Sequence, residues 1–268
     1  MLYFLIPVCI IILVFLFPLR GRVGHSDLEH LRGWAYAHRG LHKAGIPENS
    51  MAAFRNALDH GYGIELDVHL MRDGKPAVIH DASLLRTAGV DVNIEDLTED
   101  ELEQYRLEGT QEMIPLLEDV LELFQGKAPL IVELKPVKNC AALCEAVCKL
   151  LDNYSGAFCV ESFDPRCIVW FKKNRPNYVR GQLSENFLAN PKSNLAFILK
   201  CVMTWNLGNF LSRPDFIAYK YADRKNLTVR LCRSFWQLQG VTWTLRTLEE
   251  FNSAVNEGWI PIFENFEP

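Results

Sequence analysis

Two hydrophobic periods alternate along this chain. Short apolar runs rich in β-branched and aromatic residues recur at 34–37, 63–68, 77–80, 130–134, 158–162, 178–183, 216–219, 241–245 and 259–263, and helical patterns lie between most of them. Strand, helix, strand alternation predicts a parallel sheet, and a barrel domain needs on the order of 250 residues, close to what is present here. The expected fold class is therefore α/β, a TIM (β/α)8 barrel. Nine runs for eight places leave one over, and it can be located. Between Asp67 and His80 there are too few residues for a parallel crossover but there is an Asp73-Gly74 turn signal, so these two runs should form a hairpin. With Asp73-Gly74 as a two-residue turn, Asp67 opposes His80 directly. Residues 82–128 should then form a small insertion after the hairpin. In it, Thr98 and Glu101 have the spacing of a capping box, and Pro115 opens a further helix.

The first residues follow a different pattern. Leu2 to Leu19 carry no charge, and as a helix they would extend about 27 Å against a bilayer core of roughly 30 Å. Residues 1–19 are expected to be a single-pass transmembrane anchor, 20–33 a polar linker with a short helix, and 34–268 the barrel domain. A cleaved signal peptide fits less well, since no basic residue precedes the run and no small-x-small site follows it. Arg20 and Arg22 follow the run, which predicts a cytoplasmic catalytic domain at the cell membrane. Of the eight cysteines, Cys140, Cys144 and Cys148 repeat along one helix face and should pack as small hydrophobes; unpaired thiols suit a reducing compartment. A net charge of -5 argues against nucleic acid as a partner. Residues 194–211 are unusually apolar for a barrel-covering helix and its connection, with a membrane-dipping lid as the alternative.

Chemistry is concentrated in three charged segments inside strand-like surroundings: Ala37-His38-Arg39-Gly40, Glu65-Leu66-Asp67 and Glu133-Leu134-Lys135. Burying so many ionisable groups is costly unless they serve a site. Glu65 and Asp67 are two apart on a strand and point one way, while Leu66 and Val68 point toward covering helices. Together with Glu133 they would repel one another unless a cation lay among them, and oxygen-only ligation favours Mg²⁺ or Ca²⁺. A purely structural ion network is the competing reading. His38 and His80 end separate strands and can divide acid and base roles near neutral pH. His69 shares the face of Asp67 but lies nearer the turn, where exposure to solvent is expected.

His38-Arg39-Gly40, Pro47-Glu48-Asn49-Ser50, Glu65-Leu66-Asp67-Val68, Asp73-Gly74, His80-Asp81 and Glu133-Leu134-Lys135 occur in the order found in glycerophosphodiester phosphodiesterases, and Ser162-Phe163-Asp164 and Val241-Thr242-Trp243-Thr244 extend the likeness. The chain resembles that family, in a membrane-anchored bacterial type, over roughly residues 34–268. The resemblance implies a barrel of the phospholipase-C-like phosphodiesterase type and metal-dependent hydrolysis of glycerophosphodiesters to glycerol 3-phosphate and an alcohol. The glycerol hydroxyl would attack first, to give a cyclic phosphate that water then opens. It implies His38 and His80 as the catalytic pair, Glu65, Asp67 and Glu133 as cation ligands and Arg39 and Lys135 as phosphate contacts. Glu48 would lie near the metal site, and Trp243 would face the glycerol. Glycerophosphocholine, glycerophosphoethanolamine or glycerophosphoglycerol is the implied substrate class. A lysophospholipase D-like enzyme acting on membrane lipid phosphodiesters is the alternative.

Overall fold

The structure, a computed structural model, describes residues 15–136 and 138–268. Among the described residues there are nine strands: β1 (Tyr36–His38), β2 (Gly63–Leu70), β3 (Pro76–Val78), β4 (Leu130–Leu134), β5 (Phe158–Ser162), β6 (Arg180–Ser184), β7 (Phe216–Lys220), β8 (Gln239–Leu245) and β9 (Trp259–Phe263). Eight of them pair in parallel in the order β1-β9-β8-β7-β6-β5-β4-β2, and β1 pairs with β2 to close the ring. The helices are α1 (Met51–Asp59), α2 (Leu85–Ala88), α3 (Glu99–Leu102), α4 (Leu117–Phe124), α5 (Cys140–Leu151), α6 (Pro165–Asn174), α7 (Phe197–Thr204), α8 (Asn209–Ser212), α9 (Leu227–Ser234) and α10 (Leu248–Asn256).

Side-chain alternation along the strands builds two cores. Ile64, Leu66, Val68, Leu130, Val132 and Leu134 point outward and pack with helix residues such as Phe54, Val120 and Val147. Tyr36, Ile131, Cys159, Phe216, Val241 and Ile260 point inward and fill the barrel. This inner core is closed from below by Leu28 and Leu31 of a short 3₁₀ helix, Ser26–Leu31, with the Tyr36 hydroxyl donating to the Leu31 carbonyl at 2.9 Å. Residues 20–33, expected as a linker, are thus laid against the barrel. Arg22 fixes them further, donating to Asp215 Oδ2 at 2.6 Å and to the Tyr178 carbonyl at 2.7 Å. Of the transmembrane helix expected over residues 1–19, residues 1–14 lie outside the described residues; the described end does not continue as a spanning helix, since Phe17–Leu19 form a 3₁₀ turn and Leu19 is buried in the outer core. Among the described residues no helix is long and apolar enough to cross a membrane.

β3 is the surplus strand, hairpin-paired to β2, but its register differs from expectation by one residue. Val68 faces Val78 and His69 faces Ala77, and the Ile79 N–H donates to the Asp67 carbonyl at 3.0 Å, so Asp67 opposes Ile79 and not His80. The cause is the turn: Met71 N–H bonds to the Lys75 carbonyl, enclosing three residues, with Gly74 at φ +84 in the left-handed conformation that such loops assign to glycine. After the hairpin an insertion forms around a separate small core that includes Ile79, Leu84, Ile94, Leu102 and Leu107, but it spans 79–116 and not the expected 82–128, because α4 packs its Leu117, Val120 and Phe124 into the barrel's outer core. Glu101 accepts from the Thr98 backbone N–H at 2.8 Å, as its spacing predicted. His69 is buried and not solvent-exposed, because the insertion covers it; its Nε2 lies 3.1 Å from the His80 carbonyl. Cys140, Cys144 and Cys148 face the core, and Cys167 of α6 packs within 4.8 Å of the first two sulfurs.

One position tests the tightness of the barrel directly. A Cβ added at Gly181 would lie 2.0 Å from the Phe216 ring on the next strand. Gly181→Ala should lower stability by about 1–3 kcal/mol, the usual cost of overpacking, which a thermal melt would register; an unchanged melting temperature would mean the inner core is loose.

Candidate active site

The carboxyl ends of β1, β2, β4 and β5 carry the charged segments. Register alone sets the acids side by side: Asp67 pairs with Glu133 and Glu133 with Glu161 on successive strands, while His38 pairs with Glu65. Adjacent strands are about 4.8 Å apart, so these inward carboxylates meet. Oxygens of Glu65, Asp67 and Glu133 lie within 4.8 Å of one another, and all three residues are buried. Lys135, at the mouth of β4, places Nζ 2.7 Å from Asp67 and 2.8 Å from Glu133.

The first loop holds its part by backbone geometry. Arg39 adopts φ +57 and Gly40 φ +80, and a Cβ at Gly40 would meet Ala53 of α1 at 2.9 Å. A left-handed non-glycine residue is sparsely populated, and such residues concentrate where function fixes the chain. This kink aims the Arg39 backbone N–H at Glu65 (3.2 Å) and its guanidinium at Asp67 (3.4 Å) and Glu48 (2.8 Å). The Pro47-Glu48-Asn49-Ser50 segment now has a physical account. Ser50 caps α1 by accepting from the Ala53 N–H, Asn49 donates to Asp67 Oδ2 at 2.8 Å, and Glu48 joins Arg39 to Arg86. Glu48 thus holds arginines and is not among the three clustered acids.

Both histidines arrive with carboxylate partners that the sequence reading did not assign. His38 Nδ1 lies 2.8 Å from Glu264, just beyond β9, and His80 Nδ1 lies 2.7 Å from Asp81. A carboxylate at Nδ1 holds the proton there and leaves Nε2 to act, and His38 Nε2 faces Glu65 at 3.9 Å. Asp81 is the next residue after His80, and Glu264 is an acid at a strand's carboxyl end, so a weak signal existed for each. Burial pushes both imidazoles below the usual histidine value. The Glu264 hydrogen bond opposes this at His38, and the charge of Asp67 and the hydrogen bond to Asp81 oppose it at His80. Glu264 itself is held far below the carboxylate range despite its burial, by hydrogen bonds to His38 and His42 and by the charge of Arg246.

His38, Arg39, Glu65, His80, Glu133, Lys135, Glu161, Phe163 and Trp243 line one cavity of about 180 Å³. The Phe163 and Trp243 rings meet edge to face at 5.6 Å, and the buried Trp243 indole N–H has no hydrogen-bond partner. A larger groove of about 710 Å³ lies at the opposite end of the strands, among residues such as Lys127, Pro129, Phe158 and Val179. Converging acids, bases and histidines, and not volume, mark the smaller cavity as the site.

The acid cluster fits a divalent cation. Burial, with the charges of Asp67, Glu133 and Glu161, drives the Glu65 carboxyl well above its usual value; Glu133 is raised to about 7 by burial against the pull of Lys135; and buried Glu161 keeps one oxygen without a partner. Asp67 is the exception, held low against its burial by Lys135, His80 and Arg39. Acids that must take up protons in the absence of a cation, offering only oxygen, are the donor set of a hard divalent ion.

An eight-stranded parallel barrel with paired histidines over a carboxylate cluster at the strands' carboxyl ends defines a hydrolase-type site of the kind suited to phosphate esters. The profile of the Glycerophosphoryl diester phosphodiesterase family matches residues 38–266, and the chain belongs to that family. Among curated relatives, a glycerophosphodiester phosphodiesterase of Bacillus altitudinis is 42% identical over 111 residues, 39% of this chain and 44% of that protein. A lysophospholipase D of Rattus norvegicus is 38% identical over 120 residues, 40% of this chain and 37% of that one. The matched segments therefore span less than half the length of these relatives. Among solved structures, an Oleispira antarctica phosphodiesterase in complex with the product sn-glycerol-3-phosphate superposes with TM-score 0.74 at 21% identity, covering 91% of this chain and 95% of that one. A glycerophosphodiester phosphodiesterase of Thermotoga maritima gives 0.65 at 25% identity, covering 86% and 93%.

The raised acids set a pH dependence. Because the folded Glu133 carboxyl titrates near 7, above its ordinary 4.5, the metal-free protein binds more protons than the unfolded chain between those values, and this group's contribution to stability falls as pH rises through that window. A cation binds the deprotonated acids, so its stabilisation grows over the same window. At fixed free Mg²⁺ or Ca²⁺, the rise in melting temperature over chelator-treated protein should be larger at about pH 8 than at about pH 5.5. Equal rises at the two pH values would place the ion elsewhere.

Proposed function

We propose that this protein hydrolyses glycerophosphodiesters, releasing glycerol 3-phosphate and an alcohol. The observation that carries the reading is the pair of carboxylate-held imidazoles, His38 and His80, lining one cavity with Glu65, Glu133, Arg39 and Lys135, with Asp67 clustered against the two acids. Glu65, Asp67 and Glu133 would hold Mg²⁺ or Ca²⁺, which when bound supplies charge stabilisation to the phosphoryl oxygens and acidifies a nearby hydroxyl. Arg39 and Lys135 meet the anionic phosphate, and their charge counts for more as negative charge grows in the transition state. One imidazole accepts the proton of the glycerol hydroxyl next to the phosphate; that oxygen bonds to phosphorus as the bond to the leaving alcohol breaks, and the other imidazole protonates the departing oxygen. Water then opens the cyclic phosphate with the two roles reversed. The unpartnered Trp243 N–H is a donor awaiting a substrate oxygen, and its ring offers the glycerol carbons a flat wall.

One observation supports a second reading, a lysophospholipase D-like enzyme acting on membrane lipid phosphodiesters. Phe163 touches Trp243 on one side and Phe187 on the other, at 5.6 and 6.0 Å, so an aromatic line leads outward from the cavity. A lysophospholipid's glycerol and acyl chain would find apolar contact there. The uncharged run Leu2 to Leu19 is read as a membrane anchor and the barrel as cytoplasmic, supported by Arg20 and Arg22 after the run and by free, mostly buried cysteines among the described residues.

The full chain, loaded with Mg²⁺ or Ca²⁺, should release glycerol 3-phosphate from glycerophosphocholine or glycerophosphoglycerol and lose this activity to chelator. His38→Ala and His80→Ala should each lower kcat by about 10²–10⁴. Inactivity on soluble diesters with turnover of lysophospholipid vesicles would favour the second reading, and inactivity on both would refute the phosphodiesterase assignment.

Glu264→Gln makes a subtler test. Removing a carboxylate that raises the His38 pKa should move the His38-dependent limb of the pH–rate profile to lower pH. A profile that drops in height without moving would reduce Glu264 to a structural role.

A further inference from the structure

We propose that the flank formed by α7, α8, α9 and the segment entering from the amino terminus is a docking face for an anionic phospholipid surface. Three independent observations converge on it, and none depends on the phosphodiesterase reading.

The first is apolar exposure on a rigid mount. The base of α7 is tied to the barrel, with Ser184 Oγ donating to the Met203 carbonyl at 2.6 Å and the Tyr219 hydroxyl to the Thr204 carbonyl at 2.8 Å. Its first turn stands clear of the body, with Phe197 73% and Ile198 77% exposed. On α9, Leu227 is exposed, as is Phe235 just past the helix end. Asn226, just before α9, donates to the Thr204 carbonyl at 3.3 Å and so joins the two helices into one flank along which these apolar side chains are exposed.

The second is charge. Residues 188–236 contain eight Lys or Arg and two Asp or Glu, within a chain of net charge -5; Lys220 and Arg224 are paired with Glu185 and Glu257 outside that span, which leaves six. Of the two acids, Asp215 is buried against Arg22, and Asp223 accepts from the Asn186 N–H. Arg20, Lys192, Lys225 and Arg230 are solvent-exposed. Apolar side chains among basic ones are the composition of surfaces that lie in the headgroup layer of anionic bilayers.

The third is where the chain arrives. Phe17 packs on Phe210 at 5.7 Å, Trp236 donates to the Leu16 carbonyl at 2.9 Å, and Asn209 reaches the Leu19 carbonyl at 3.4 Å. The uncharged run ending at Leu19 therefore joins the body at this flank, beside α8 and α9. A second copy of the chain is a poor occupant, since two faces with excess positive charge repel. Coverage by the chain's own uncharged run would hide apolar area but leave the basic charge unanswered. The loop before α7 carries Phe187, which touches Phe163 of the catalytic cavity.

Amide hydrogen exchange on the full chain, one copy per lipid nanodisc, tests the proposal. In discs of phosphatidylcholine with about one third phosphatidylglycerol, residues 196–211 and 227–236 should exchange about tenfold more slowly than in pure phosphatidylcholine discs. About 0.5 M NaCl should remove that difference. So should Lys200→Glu/Lys225→Glu/Arg230→Glu, at about fivefold per charge that truly meets the surface. Phe197→Ser/Ile198→Ser should remove it over 196–211, with the thermal melt of each variant unchanged to show that the fold persists. Equal exchange in the two kinds of disc overturns the proposal, whether both are slow, which would mean cover by the chain's own run, or both are fast. Protection that survives the charge-reversed or serine variants overturns it as well.

Discussion

Everything at the catalytic end of this barrel follows from placing four carboxylates, Glu65, Asp67, Glu133 and Glu161, inside a ring of neighbouring strands. Parallel register forces them together, and burial removes the water that would screen them. Partners are shared unequally. Asp67 takes Lys135, Arg39 and Asn49 and stays ionised, whereas Glu65, Glu133 and Glu161 are pushed toward the protonated form. Buried ion networks of this kind are weak sources of stability. The cluster is therefore a cost to folding that the apolar barrel below it offsets.

The layers around the cluster can be read as answers to that constraint. Arg39 reaches Asp67 only because its backbone turns into the left-handed region, and it stays there because Glu48 and α1 hold the loop. Glu48 in turn ties Arg86, which binds Asp81, which positions His80. His38 is fixed from the other side by Glu264, which His42 and Arg246 also engage. Each imidazole is thus oriented by a carboxylate that has its own basic partner, so neither acid competes for the proton the imidazole must exchange.

How much of this was legible in the sequence depended on whether the signal was local. The runs at 130–134, 158–162 and 259–263 became strands with those bounds because compact apolar runs need no tertiary information. Glu65, Asp67 and Glu133 were visible because charge inside an apolar strand is anomalous by itself. The hairpin was visible as well, but its register was not: a two-residue and a three-residue loop both suit Asp73-Gly74, and only packing of the insertion against β3 chooses between them. His69 was misjudged for the same reason, since its cover comes from residues far along the chain. Glu264 was missed because it lies 226 residues from the histidine it serves, and only closure of β9 onto β1 brings the two together.

The barrel also divides its work by height. At the amino-terminal end Leu28, Leu31 and Tyr36 make an apolar floor sealed by residues that a sequence reading treats as linker. At the carboxyl end the inward positions turn polar within two residues, from Ile131 to Glu133 and from Cys159 to Glu161. A transition this abrupt puts low-dielectric protein directly beneath the acids, which raises their pKa values and strengthens every charge interaction above them. Protons then neutralise much of the cluster when no cation is present, while Arg39 and Lys135 remain charged. The acids can therefore exchange protons for a hard divalent ion while the two fixed cations, Arg39 and Lys135, keep their charge beside them.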